Sequence, residues 1–276
     1  MWLTGVIKFS DVDHFRISNI GRIIEIDIKP QLTLIEATLL EMNVTIPDRD
    51  STLRTETSHT VEYEDYDSTS GSYDDTRVPV GLSIIHDYLA STSTALSEQT
   101  VLDAGCGTGS CLAELRGKIG RLHGRELNAG MQQVAKKRFA DDPSVQIEQG
   151  SITELPFADE TFDGIICNQV LHHLDPGTIG DADSAGFPNV RLFFREAFRV
   201  LRPKGVLLVN TSSHQQHRDG FWWAALIPVA IDRMLPRFPS INRFEKIFQQ
   251  TGFVGFETAV PIDEVLQGEQ YLNPAG

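Results

Sequence analysis

From about residue 77 to residue 260, short strand-like runs alternate with longer stretches in which apolar residues recur at helical spacing. The short runs fall near 100–105, 121–127, 145–150, 162–168, 205–211 and 253–260, and each reads as a strand. Between them, Met131, Val134, Ala135 and Phe139 share one helical face, as do Val190, Phe193, Phe194, Ala197 and Leu201. Both stripes are packing faces. Strands and helices in alternation predict βαβ units and a parallel sheet covered on both sides, an α/β, doubly wound, Rossmann-like domain over residues 73–276. Arg191, Arg195 and Arg199 recur at spacing four opposite the second stripe and read as a solvated helix face.

Upstream the pattern changes. Ile24-Glu25-Ile26-Asp27-Ile28-Lys29 alternates strictly, as a half-buried strand does, Pro30 ends it, and Leu32 and Leu34 continue a second strand. Residues 1–46 therefore read as an N-terminal extension with a β-hairpin. Residues 47–72 are rich in Ser, Thr, Asp and Glu without periodicity, the composition of an acidic linker.

Composition narrows the function classes. A chain of 276 residues with 41% hydrophobic content buries one sizeable core. The net charge of −14 argues against a protein that tracks nucleic-acid phosphates, which requires clustered Lys and Arg. The three cysteines, Cys106, Cys111 and Cys167, lack metal-ligand spacing and form no disulfide framework, so no metal is expected and a reducing, cytoplasmic setting is. The N-terminus has no basic segment followed by an apolar run, and Phe221–Ile231 is too short to span a bilayer and contains Pro228.

The chemistry concentrates in Val101-Leu102-Asp103-Ala104-Gly105-Cys106-Gly107-Thr108-Gly109. An apolar strand ends in an acid, and glycines at 105, 107 and 109 let a loop turn sharply and lie against a ligand. A dinucleotide fingerprint would put its third glycine at 110, where Ser110 stands, which argues against a nicotinamide-dependent oxidoreductase. Glu126 closes the next strand, where a carboxylate can accept both hydroxyls of a ribose.

The D-x-G-x-G-x-G pattern resembles motif I of the class I S-adenosylmethionine (SAM) dependent methyltransferases. Gly150-Ser151-Ile152-Thr153-Glu154-Leu155-Pro156-Phe157 with Phe162-Asp163 resembles a further segment of that family, and Glu196 to Gly205 its helix-to-strand turn. Leu171-His172-His173-Leu174 is similar to a run in the ubiquinone-biosynthesis type. The resemblance implies SAM across the carboxyl ends of the first two parallel strands. Asp103 would orient the methionine ammonium, Gly105, Cys106, Gly107 and Gly109 would form the loop beneath the cofactor, and Glu126 would hold the ribose. Leu127, Ser151 and Ile152 would surround the adenine, Asn168 would face the methionine and sulfonium, and Tyr73 and Arg77 would cover the cofactor as a lid. Ser151 stands where many relatives carry an Asp, and a neutral hydroxyl makes a weaker contact.

For the reaction itself, His172 and His173 are the candidate bases, with structural roles as the alternative. Trp222, Trp223 and His214 lie in the segment 214–250 expected over the acceptor, which points to an aromatic or lipid-like small molecule. Asn168-Gln169-Val170-Leu171 is not the N-P-P-Y tetrapeptide of planar-amine methylases, which argues against nucleic-acid bases. One element is missing. The family closes its sheet with an antiparallel seventh strand, and residues 261–276 supply none. Either the chain is a truncated or spliced form, or another segment fills the slot, with Ile24–Lys29 as the expected donor. The resulting expectation is a small-molecule methyltransferase, and its alternative is a SAM-binding but catalytically silent regulatory or scaffolding protein.

Overall fold

In the computed structural model, residues 3–8, 79–175, 186–220, 228–253 and 255–259 are described. They belong to the compact unit formed by Met1–Asp11 and Glu64–Gly276. Their strands are, in chain order, β1 (Leu3–Lys8), β2 (Thr100–Ala104), β3 (Arg121–Glu126), β4 (Val145–Gln149), β5 (Phe162–Asn168), β6 (Leu201–Thr211) and β7 (Phe256–Ala259). In space the order is β4-β3-β2-β5-β6-β1-β7. The first five in that order pair parallel, and β1 is antiparallel to both β6 and β7. Chain order reverses at β2, so the switch point where open α/β sheets bind ligands lies between the carboxyl ends of β2 and β5.

The helices are α1 (Leu82–Ala90), α2 (Ser110–Leu115), α3 (Ala129–Arg138), α4 (Pro188–Val200), α5 (Pro228–Met234) and α6 (Ile241–Gln250). On one face, Phe193 and Phe194 of α4 and Ile247 and Phe248 of α6 pack on Leu102, Ile165, Cys167, Leu207 and Val209. On the other, Ile85 and Leu89 of α1 and Leu112 and Leu115 of α2 pack on Val101, Leu122, Ile166 and Leu208. With both faces covered, the central strands carry continuous apolar runs, Ile165-Ile166-Cys167 in β5 and Val206-Leu207-Leu208-Val209 in β6. Each fully buried Leu or Phe contributes about 1.5–3 kcal/mol. The doubly wound expectation holds, and the predicted strands recur within a few residues. The exception is β6, which begins at Leu201 because Leu201 pairs with Phe162 before the register shifts between Phe162 and Gly164.

The slot beside β6 is filled from the N-terminus. Leu3 to Lys8 pair with Thr211 to Val206, and Thr4 to Ile7 with Ala259 to Phe256. This strand takes the position expected of a C-terminal seventh strand and covers a β6 edge whose amides and carbonyls would otherwise lack partners. The donor is Leu3–Lys8 and not Ile24–Lys29, which lies outside the described residues, as do Leu32, Leu34 and residues 47–72. Leu3, Gly5, Val6 and Ile7 do not alternate, so a search for period two passes over them.

Two of the family-like segments lock to each other. The Leu155 N–H donates to Glu196 Oε2 at 2.8 Å, and Arg199 donates to Glu196, to Asp159 and to the carbonyls of Leu155 and Phe157. The Arg199 guanidinium holds the Glu196 carboxyl below its ordinary range. Arg199 therefore departs from the solvated face expected of it: it clamps the loop that leads into β5. Arg195 is exposed as expected, and Arg191 donates to the carbonyl of Gly186 and to Gln250. Asp163, buried at the start of β5, accepts from the Thr100 N–H, the Thr94 hydroxyl and Arg202.

Candidate cofactor and acceptor site

Four loops meet at the carboxyl ends of β2, β3, β4 and β5. The loop after β2 is pinned to β3: the N–H groups of Gly105 and Cys106 donate to the Arg125 carbonyl at 2.8 and 3.2 Å. Gly105 (φ 82°), Gly107 (φ 55°) and Gly109 (φ 81°) all adopt the left-handed region, where a side chain is strained. Their surroundings differ. A Cβ on Gly105 would lie 2.5 Å from Val170, and one on Gly109 would lie 2.6 Å from Phe139. A Cβ on Gly107 would meet nothing within 4 Å, so open space lies over the centre of the loop.

Glu126 borders that space. Its Oε2 accepts the Gly107 N–H at 2.9 Å and its Oε1 accepts the Asn128 N–H at 2.8 Å. Asn128 in turn caps α3 by accepting the Met131 N–H. Leu127, between them, is 67% exposed, an unusual position for a leucine in a loop otherwise tied down by hydrogen bonds.

Asp103 is 1% exposed, and its Oδ1 has no hydrogen-bond partner among the described residues. Burial, and secondly the Glu126 charge, push its carboxyl up to about 7. Asn168 Oδ1, at the end of β5, is likewise buried without a partner among the described residues. Two unmet acceptors beside an open glycine loop suit a cationic donor, and the paired oxygens of Glu126 suit a diol. The residues present therefore fit SAM, whose methionine end is cationic and whose ribose carries two hydroxyls.

The loop after β4 is held by Arg125, whose Nε donates to the Ser151 carbonyl at 3.3 Å. The Ser151 hydroxyl accepts the Thr153 N–H and shares a hydrogen bond of 2.7 Å with the Thr153 hydroxyl, in which either group can donate. Ile152 is buried in the core cluster of α4 and α6. Cys106 turns its thiol into the other cluster, where burial raises its pKa, so it reaches the loop surface through its backbone.

Leu171–His173 form a single 3₁₀ turn directly after β5. The rings of His172 and His173 lie 3.9 Å apart, and His172 stacks on Phe238 at 4.9 Å. His217 packs on Phe238 at 4.4 Å, and His214 Nε2 is 2.8 Å from the Phe238 carbonyl oxygen. Burial, then the neighbouring His214, depress His217 to about 4, so it is neutral at physiological pH. The histidine turn is thereby joined through Phe238 to His214 and His217. Tyr73, Arg77, Trp222 and Trp223 lie outside the described residues. Among the described residues, no group of three His, Cys, Asp or Glu could hold a metal ion.

Two participants escaped the sequence reading: His217, and Asn210 near the end of β6. Asn210 carried a signal, being a polar residue in the apolar run Val206-Leu207-Leu208-Val209, just as Asn168 ends Ile165-Ile166-Cys167.

Residues 102–209 match the family described as Methyltransferase domain. A demethylmenaquinone methyltransferase of Symbiobacterium thermophilum is 25% identical over 183 residues, 56% of this chain and 68% of that protein. A bifunctional biotin-biosynthesis protein of Teredinibacter turnerae is 25% identical over 59% of this chain, which spans only 28% of its length. Among solved structures, phosphoethanolamine N-methyltransferase 2 of Haemonchus contortus in complex with SAM shares 20% identity, with a TM-score of 0.48 over 71% of this chain and 43% of that one. The matched segment runs from β2 into β6 and carries the glycine loop, so the likeness to methyltransferase domains falls on the strands that border the site.

Proposed function

We propose that this protein transfers a methyl group from SAM to a small-molecule acceptor by direct in-line displacement. The observation that carries the reading is the pairing of two unmet acceptors, Asp103 Oδ1 and Asn168 Oδ1, with a glycine loop that leaves its centre open. Asp103 and Asn168 hold the cationic methionine end, Glu126 the ribose, and Leu127, Ser151 and Ile152 border the adenine, with Gly105, Cys106, Gly107 and Gly109 as the floor. Tyr73 and Arg77 complete the lid. When bound, SAM supplies an already activated methyl group, so the residues around it need only position the acceptor and exclude water. Holding the reactants in line is worth about 7–11 kcal/mol.

His172 or His173 takes the acceptor proton where one must leave, and the turn that carries them is braced by Phe238. His214, bonded to the Phe238 carbonyl oxygen, lines the acceptor lobe with Trp222 and Trp223, a wall suited to an aromatic or lipid-like molecule. The demethylmenaquinone methyltransferases among its relatives support a quinone-like acceptor as the first to try. Nucleic acid is outside this reading, given the net charge of −14. The setting is cytoplasmic, consistent with three free, buried cysteines and with no helix among the described residues long and apolar enough to cross a membrane. Turnover of SAM to its demethylated product in the presence of aromatic and quinone-like acceptors tests the proposal. Tight SAM binding without turnover on any of them would instead favour the silent, scaffolding alternative.

A further inference from the structure

Three adjacent strands end in polar side chains on one face of the sheet. Asp103 of β2 is in register with Ile166 of β5, Asn168 follows two residues later, and Asn168 is in register with Asn210 of β6. Partners in a ladder share a face, and so do residues two apart on a strand, so Asp103, Asn168 and Asn210 stand in a row. Asn210 is 2% exposed, and its bonding differs from that of the other two. Its Nδ2 donates to the Val80 carbonyl at 3.0 Å, and its Oδ1 accepts Gln169 Nε2 at 2.9 Å. Its backbone carbonyl accepts the Gln169 N–H at 2.9 Å.

Those bonds converge on the turn that carries the site. Gln169 has φ 60°, a left-handed conformation that costs a non-glycine residue about 1–2 kcal/mol, and both of its bonds to Asn210 hold it there. Val170, the next residue, rests on Gly105. Asn168 Nδ2 donates to the same Val80 carbonyl at 3.4 Å, which fixes the amide orientation and leaves its Oδ1 as the unmet acceptor.

We infer that Asn210 is a positioning residue for the cofactor: through Val80 and Gln169 it sets the direction of the Asn168 carbonyl oxygen toward the methionine end. This rests on the proposed SAM site. The amide donates to Val80 and accepts from Gln169 at once. An ionised carboxylate would face the Val80 carbonyl with a second acceptor, whereas a protonated one would donate to it as the amide does.

The test is titration of SAM into the wild type, Asn210→Asp, Asn210→Leu and Gln169→Gly, each checked by thermal melting. Gln169→Gly removes the side-chain bond while accommodating the left-handed backbone. Burial raises a carboxyl at position 210 into the working range. Asp103 titrates there too, and the ionisable side chains of Glu126, His172 and His173 stand on the surrounding loops in every variant, so the quantity read is the ratio of variant to wild-type Kd at each pH. Losing one buried hydrogen bond predicts a ratio of about tenfold for Asn210→Asp near pH 8.5, falling to about twofold or less near pH 6. Asn210→Leu should show about tenfold at every pH, and Gln169→Gly about threefold or more. Folded variants with ratios within about twofold of unity throughout, or an Asn210→Asp ratio independent of pH, overturn the inference. If the Asn210 variants do not fold, Gln169→Gly decides. A wild type that binds no SAM overturns the site itself, a separate result.

Discussion

The Glu126 carboxylate accepts the Gly107 N–H at 2.9 Å, so the acid that ends β3 is fastened to the middle of the glycine loop that follows β2. With the Asn128 N–H on the other oxygen, the carboxylate is oriented by the backbone on both sides. Its remaining lone pairs are aimed before a ligand arrives, which lowers the ordering cost of binding. The loop and the acid are therefore one unit, and the substitutions below separate its parts.

Gly107 and Gly109 should respond differently to alanine. Gly109→Ala drives a Cβ into the Phe139 ring in a left-handed backbone, so thermal melting should show a loss of several kcal/mol. Gly107→Ala incurs only the backbone strain of about 1–2 kcal/mol, yet its methyl projects into the open space. A near-native melt with at least about tenfold weaker SAM binding is expected for Gly107→Ala.

Asp103 makes stability and binding respond to pH in opposite directions. Its unfolded carboxyl titrates near 3.8 and its folded one at about 7, because burial and then the Glu126 charge favour the neutral form. The stabilisation is full below the unfolded value and is lost as pH rises from about 4 through about 7, a contribution on the order of 4 kcal/mol. Melts of the ligand-free protein should fall over that window, and Asp103→Asn should remove this part of the fall. SAM affinity should rise over the same window in the wild type, since the ionised carboxylate attracts the ammonium, and stay flatter in Asp103→Asn.

The doubly wound sheet, the glycine loop and Glu126 were legible in the sequence because each rests on local pattern: buried runs, turn chemistry, an acid at a strand end. The closing strand was not, because Leu3–Lys8 pairs with segments some two hundred residues away and shows no alternation. Arg199 looked like surface by its spacing, but its partners Leu155, Phe157 and Asp159 lie in another loop, which helical periodicity does not report. Asn210 and His217 were missed for the same reason: one polar residue in an apolar strand and one histidine after it gain meaning only beside Val80, Gln169 and Phe238.

The N-terminal strand supplies its own prediction. Val6 lies between Leu208 of β6 and Glu257 of β7, so proline there deletes a ladder bond on one side or the other. Val6→Pro should cost about 1–3 kcal/mol in denaturant unfolding, the penalty of a ladder group left without its partner. A melt identical to wild type would show that β1 does not hold the β6 edge in solution.

His172→Gln and His173→Gln separate base from brace. Loss of a general base lowers kcat by about a hundredfold or more, with SAM Kd unchanged and a flattened pH profile. Loss of the stack on Phe238 alone would lower stability and leave the profile shape intact.

Whether the loop after β2 and Glu126 together form a SAM site is decided by calorimetric titration of the wild type and Glu126→Ala with SAM. Wild-type binding with a Kd of about micromolar order is expected, weakened about a hundredfold or more in a folded Glu126→Ala protein. Equal affinity in both proteins, or no heat from a folded wild type, would contradict it.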